Sequence, residues 1–202
     1  MTDEAVPAVI DVYQRHGAAW ASLRQPSLTA EWGWLERCCS LIPIGGSILD
    51  IGCGSGIPIG RELLRRGFAL FGVEATPAMA ALFRQNLPGT PIYETDMRAL
   101  DLSRRFDGLL AWDSLFHLSP IDQRRMFARF SAHAESGAPL MFTSGDEEGE
   151  AIGELEGTPL YHGSLSANEY RTLLDAANFE LVAHVSADPS CGNRTVWLAR
   201  KR

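Results

Sequence analysis

The chain has 202 residues, 46% hydrophobic and 21% charged, which suits one domain with a packed two- or three-layer core and excludes a largely disordered protein. Its formal net charge of −7 repels nucleic-acid duplexes and anionic membranes on average, so a nucleic-acid partner is disfavoured. Cys38, Cys39, Cys53 and Cys191 form no CxxC pair, so neither a metal nor a disulfide framework is expected; no run approaches the ~18 apolar residues of a membrane span, and Met1–Ala5 lacks a signal-peptide core, so the chain reads as cytoplasmic.

The first forty residues read as helical. Val9, Tyr13, Gly17 and Trp20 recur at helical spacing, and Leu28, Trp32, Leu35 and Cys39 follow Pro26-Ser27, where Ser27 can cap. Pro43 and Gly45-Gly46 end this lead-in. A strand–turn–helix pattern then repeats. Ser47–Ile51 is a short apolar strand that runs into the turn Gly52-Cys53-Gly54-Ser55-Gly56, and Ile59, Leu63 and Leu64 line the next helix, which Gly67 closes. Phe68–Val73 is a second strand ending at Glu74. Thr76-Pro77 opens a helix with Thr76 as N-cap and Met79, Phe83 and Leu87 along one side.

Pro91–Glu94 is a third strand and Phe106–Trp112 a fourth. Ser119-Pro120 starts a helix that turns Met126, Phe127, Phe130 and Ala134 inward, and Pro139–Thr143 is a fifth strand. Residues 145–163, rich in glycine and acidic side chains, read as a long loop on the ligand side, able to act as a lid over a bound ligand. Ser166-Ala167-Asn168-Glu169 is a capping box ahead of Tyr170, Leu173, Leu174 and Ala177. Two last strands, near 179–185 and 195–199, have no room for a helix between them and should pair antiparallel. Such alternation predicts an α/β fold: a doubly wound, mostly parallel seven-stranded sheet with helices on both faces and a C-terminal antiparallel hairpin. Its ligand site belongs at the carboxyl ends of the strands, in the loops after Ile51, Val73, Tyr93 and Trp112.

Glycines at 52, 54 and 56 permit positive φ and close approach of the backbone to a ligand, and a following helix N-terminus would suit a carboxylate. The nicotinamide fingerprint GxGxxG would put its third glycine at position 57, which is Ile57. The pattern is instead GxGxG preceded by Asp50. It resembles the first motif of the class I (Rossmann-like) S-adenosylmethionine-dependent methyltransferases, and the resemblance covers roughly residues 47–145.

That resemblance implies S-adenosylmethionine (SAM) as cofactor and S-adenosylhomocysteine (SAH) as product. It places Glu74, 18 residues past Gly56, on the ribose hydroxyls; a carboxylate accepts two hydrogen bonds side by side. It places Asp96 on the adenine amino group with Met97 against the ring, Asp50 at the methionine end, and Ala75, Trp112 and Asp113 among further contacts. Cys53 is read as a small filler of the turn. Residues 1–44 become a helical lid through which Tyr13 and Trp20 reach the cofactor, and 45–202 the Rossmann-like core of one domain.

The catalytic residue is not fixed by the sequence; His117, Tyr161 and His162 are the candidates. The Asn/Asp-Pro-Pro-Tyr/Phe signature of amino-methylating enzymes is missing from Trp112-Asp113-Ser114-Leu115-Phe116, which disfavours adenine-N6 or glutamine methylation. A small-molecule acceptor is expected. The alternatives are a nicotinamide-dependent oxidoreductase and a non-catalytic SAM-binding protein.

Overall fold

A computed structural model of the chain describes residues 5–24 and 28–202. In chain order the elements are α1 (Ala5–Leu23), α2 (Trp32–Cys39), β1 (Ser47–Ile51), α3 (Ile59–Arg65), β2 (Ala69–Glu74), α4 (Pro77–Asn86), β3 (Ile92–Glu94) and β4 (Gly108–Ala111). There follow α5 (Pro120–His133), β5 (Pro139–Ser144), β6 (Gly149–Leu155), β7 (Thr158–Ser164), α6 (Ala167–Ala176), β8 (Phe179–Asp188) and β9 (Arg194–Lys201).

Seven strands form one sheet in the order β3-β2-β1-β4-β5-β9-β8. The first five run parallel, and β9 pairs antiparallel with both β5 and β8. The doubly wound sheet and the terminal hairpin are therefore as read from the sequence. Side chains alternate across the pleat, so each strand feeds two core layers. Leu49, Ile51, Leu109, Ala111, Leu140 and Phe142 pack with Met126, Phe127, Phe130, Tyr170 and Leu174 of α5 and α6. The intervening Ile48, Leu110 and Met141 pack with Leu35, Leu63 and Phe83 of α2, α3 and α4. In this order β1 has β2 on one side and β4 on the other. That is the switch point, where loops on either side of the sheet diverge and leave a crevice.

Several local expectations change. Residues 145–163 are not a loop: β6 and β7 form a separate antiparallel hairpin, with the first six residues of β6 exposed and the turn at Glu156-Gly157. Backbone pairing with β7, and Leu155 buried at the strand's end, hold a strand with no apolar alternation. The second helix begins at Trp32, later than the Leu28 start expected; Trp34 rather than Trp32 is buried, and Trp32 is 43% exposed. The Ser27 cap lies outside the described residues. Thr76 precedes α4 with extended backbone, yet its side chain makes no capping bond. Its backbone N–H donates to Glu74 Oε1 instead, at 2.9 Å. The fourth strand is shorter than expected, Phe106 making only an isolated bridge to Ala134.

Ser166 Oγ accepts from Glu169 N, but Glu169 gives both carboxylate oxygens to Arg124, so only half of the expected box exists. Removing one N-cap acceptor costs about 1 kcal/mol. Ser166→Ala should lower the unfolding free energy by about that amount in urea titration, with an unchanged m-value; no shift in midpoint would show that this cap is dispensable.

Candidate functional site

A cleft opens at the carboxyl ends of β1, β2, β3 and β4, roofed by α1, and every residue assigned above to the cofactor lines it. The turn after β1 is held from within. Val73 O accepts from Gly52 N at 2.8 Å and Cys53 N at 3.0 Å, and Cys53 O accepts from Gly56 N at 3.0 Å. Gly54 N donates to Glu74 Oε2 at 3.0 Å. The expected cradle of free N–H groups facing a carboxylate is thus absent at these four residues, because β2 takes up three of the donors and Cys53 O the fourth. Nor does a helix begin at the turn: α3 starts at Ile59, behind Pro58. Ser114 Oγ donates to Ile51 O at 2.7 Å and ties the β4 loop to the same turn. Cys53 is a filler: its sulfur sits against Gly72, where an added Cβ would approach it to 2.8 Å.

Two carboxylates stand in the cleft. Glu74 is 9% exposed and Asp50 4%. Burial, with the Glu74 charge adding to it and Arg24 opposing, pushes Asp50 up to about 7. Burial also raises Glu74, against the hydrogen bonds from Thr76 and Gly54. Asp96 caps a short 3-10 turn through Arg98 N and is clamped by the Arg98 guanidinium at 2.6–3.1 Å. Burial opposes these bonds, but together they hold its carboxyl below the ordinary range. Asp113 has φ +48 and accepts from Arg194 at 2.9–3.1 Å and from Arg24 Nη1 at 3.2 Å. Its carboxylate joins the end of α1 to β9 while its main chain borders the cleft.

The sequence reading missed Arg24. It lies just past α1, lines the cleft, and bridges Asp113 and Glu31. Its buried Nε has no partner among the described residues, and neither does Trp112 Nε1. No local pattern marks a single arginine at a helix end; only the return of the chain to β4 reveals it. The cleft thus offers two buried carboxylates and two buried unpartnered N–H donors, a donor set that fits a zwitterionic amino-acid group together with a sugar diol.

The three catalytic candidates separate. His117 lines the cleft, with Nε2 3.1 Å from Tyr13 Oη and Nδ1 3.0 Å from Tyr161 O. Burial lowers its pKa to about 4, with the Tyr161 carbonyl opposing. Tyr161 contributes its carbonyl there, while its ring packs among Val9, Val12, Leu155 and Leu160. His162 stacks obliquely on His117 at 5.0 Å and lines a second cleft with Phe116 and residues 144–151. Among the described residues, no three His, Cys, Asp or Glu side chains gather as a metal site, and no helix is long and apolar enough to cross a membrane.

Residues 48–137 match the family model of a methyltransferase domain. An uncharacterized methyltransferase of Bacillus cytotoxicus is 28% identical over 98 residues, 48% of this chain and 46% of the relative. A tRNA U34 carboxymethyltransferase of Hahella chejuensis is 30% identical over 100 residues, 48% of this chain and 30% of the relative. The matches therefore span less than half the length of either relative. Among solved structures, the SAM-bound amino pentose methyltransferase CalS10 of Micromonospora echinaspora superposes with TM-score 0.72 at 22% identity, over 92% of this chain and 95% of that one. With the matched domain, the GxGxG turn, and a sheet of five parallel strands closed by an antiparallel hairpin, residues 48–137 carry the match to a methyltransferase domain and the chain has the Rossmann-like fold of the SAM-bound methyltransferase it superposes on.

Proposed function

We propose that this chain binds SAM in the cleft and transfers its methyl group to a small-molecule acceptor. The observation that carries the reading is Glu74: a buried carboxylate at the carboxyl end of β2, fixed by Gly54 N and Thr76 N, with lone pairs left on both oxygens for a diol. Bound SAM supplies an electrophilic methyl group on a sulfonium, and SAH is the product. Glu74 holds the ribose, Asp50 accepts from the ammonium, and Arg24 Nε donates to the carboxylate, a role the turn's own N–H groups do not fill. Asp96 meets the adenine amino group, and Met97 lies against the ring.

Residues 1–44 act as the lid on a 45–202 core. Support for the lid comes from α1, which is tied down by Tyr13 on His117, His16 on Thr158 at 3.0 Å and Gln14 on Ala78 N at 3.1 Å. A small acceptor suits the net charge of −7 better than an RNA does. The amino pentose acceptor of the structural neighbour is of that size class. Calorimetric titration with SAM, and separately with NADH, tests the cofactor. SAM binding without NADH binding is expected; the reverse would restore the oxidoreductase reading. Turnover of any acceptor in a methylation screen would exclude a non-catalytic SAM-binding protein.

A pH dependence follows from Asp50. In the free protein its carboxyl titrates near 7, and the ammonium of SAM favours the charged form. Binding therefore releases a proton below that pH. Affinity should rise with pH through about 7 and fall by up to about tenfold per unit below it, the limit for one linked proton. Glu74 and Arg24 are the charged groups acting on Asp50, and they bias its midpoint without changing this sign. Calorimetry in buffers of different ionisation enthalpy reads the released proton directly. An affinity that is flat from pH 6 to 8 would refute the assignment of Asp50 to the ammonium.

A further inference from the structure

Tyr13 and His117 make a hydrogen bond whose direction can be worked out. A carbonyl oxygen only accepts, so at 3.0 Å from Tyr161 O the Nδ1 atom of His117 carries a proton. His117 is 8% exposed, and burial keeps its imidazole neutral at neutral pH. Nε2 then has a lone pair and no proton. The Tyr13 hydroxyl, 3.1 Å away, must be the donor. With its one proton committed to Nε2, Tyr13 Oη can only accept from anything else in the cleft. The hydroxyl stays protonated: burial and the charges of Asp113 and Glu74 all push its pKa upward.

The position of the pair matters as much as its polarity. In the sheet order β3-β2-β1-β4, Asp96 and Glu74 lie at the ends of β3 and β2. His117 closes the short 3-10 turn Leu115–His117 that follows β4, at the opposite end of the crevice. Tyr13 reaches it from α1. Ring contacts connect His117 to Phe116 at 4.8 Å and to His162 at 5.0 Å, and those two line the second cleft. The pair thus stands between the cofactor cleft and a second opening that could admit an acceptor's body.

We infer that Tyr13 Oη, held accept-only by His117 Nε2 and through it by the Tyr161 carbonyl, is the group that binds the methyl acceptor, and that it selects an acceptor bearing an N–H or O–H on the atom to be methylated. This rests on the cofactor reading above. One N–H or O–H donated to Tyr13 Oη orients the heteroatom and leaves a lone pair for the methyl carbon; the heteroatom–carbon bond would form as the S–CH3 bond breaks, its electron pair would stay on the sulfur of SAH, and the acceptor's proton would be lost to solvent. Carbon, thioether and tertiary-amine nucleophiles offer no such donor. His117 is a positioning residue: it acts only by fixing the Tyr13 proton.

The test uses sinefungin, a SAM analogue with an amine-bearing carbon in place of the methyl sulfonium, against SAH, which carries nothing there. The amine gives Tyr13 Oη a donor, so the ratio of sinefungin to SAH affinity should fall roughly tenfold in Tyr13→Phe, the loss of one charge-assisted hydrogen bond. His117→Gln should reduce the ratio less, since the Tyr13 hydroxyl remains. Independently of any variant, nitrogen-15 NMR of the imidazoles should find His117 protonated on Nδ1 and bare on Nε2. An unchanged ratio in a folded Tyr13→Phe protein, or a proton on Nε2, overturns the inference. If neither SAH nor sinefungin binds the wild-type protein, the cofactor reading falls and this inference falls with it.

Discussion

Glu74→Ala is expected to weaken SAM binding by about 100-fold or more, the largest effect of any single side-chain truncation in the cleft. Two losses combine. The variant removes the acceptor proposed for the ribose hydroxyls; hydrogen bonds to a charged group contribute about 1.5–3 kcal/mol each. It also strands Gly54 N and Thr76 N, which donate to Glu74 at 3.0 and 2.9 Å. A buried donor left alone costs about 1–3 kcal/mol, so the turn and the start of α4 should loosen and the urea midpoint fall. Glu74→Gln separates the two. Its amide oxygen can replace one acceptor, while its NH2 faces the second N–H, so binding and midpoint should both lie between wild type and Glu74→Ala. Calorimetry on protein shown to be folded by circular dichroism decides the matter. Wild-type affinity in a folded Glu74→Ala protein would remove Glu74 from the site and with it the main support for the cofactor assignment.

The parts of this molecule that could be read from the sequence are those fixed by short-range chemistry. Apolar runs of strand length, each followed by a helical period, yield the sheet, because burying both of its faces leaves few other arrangements. Ser119 and Ser166 cap their helices as their positions imply. The cofactor candidates all line one cleft because each sits at the end of a parallel strand or on the helix that roofs it.

What escaped the reading depends on partners distant in the chain. The glycine turn looks like an anion cradle, but Val73 and Glu74 of β2 absorb three of its donors. Arg24, Asp113 and Arg194 meet across separations of 81 and 89 residues, which no local pattern encodes. The β6–β7 hairpin hid for a different reason. Gly149, Glu150, Gly153 and Glu154 give it the composition of a loop, and its register is set by pairing with Thr158–Ser164 rather than by an apolar face. His117 could be seen as a histidine near the site, but its tautomer could not, because that is set by a carbonyl 44 residues further along.

Gly52→Ala is expected to cost the fold about 2–4 kcal/mol and to abolish measurable SAM binding. Two requirements meet at this residue. Its φ is +78, a conformation that L side chains seldom adopt, and non-glycine residues held there pay about 1–3 kcal/mol. A Cβ built on it would also overlap Ser114 Cβ and come within 2.9 Å of Ser114 Oγ. Ser114 has little freedom to yield, since Oγ donates to Ile51 O at 2.7 Å and the residue is 5% exposed. Relieving the overlap therefore means moving either the β4 loop or the turn. Moving the turn breaks the bonds of Gly52 N and Cys53 N to Val73 O, and shifts Gly54 away from Glu74.

Gly45→Ala is the matched control. Its φ is +73, but no atom lies within 4 Å of an added Cβ, so it carries the backbone strain alone. The difference in urea midpoint between the two variants measures the steric share, and SAM titration of Gly45→Ala should match wild type. Equal destabilisation in the two variants, with SAM binding retained in both, would mean that the contact between the turn and Ser114 is not what shapes the cleft.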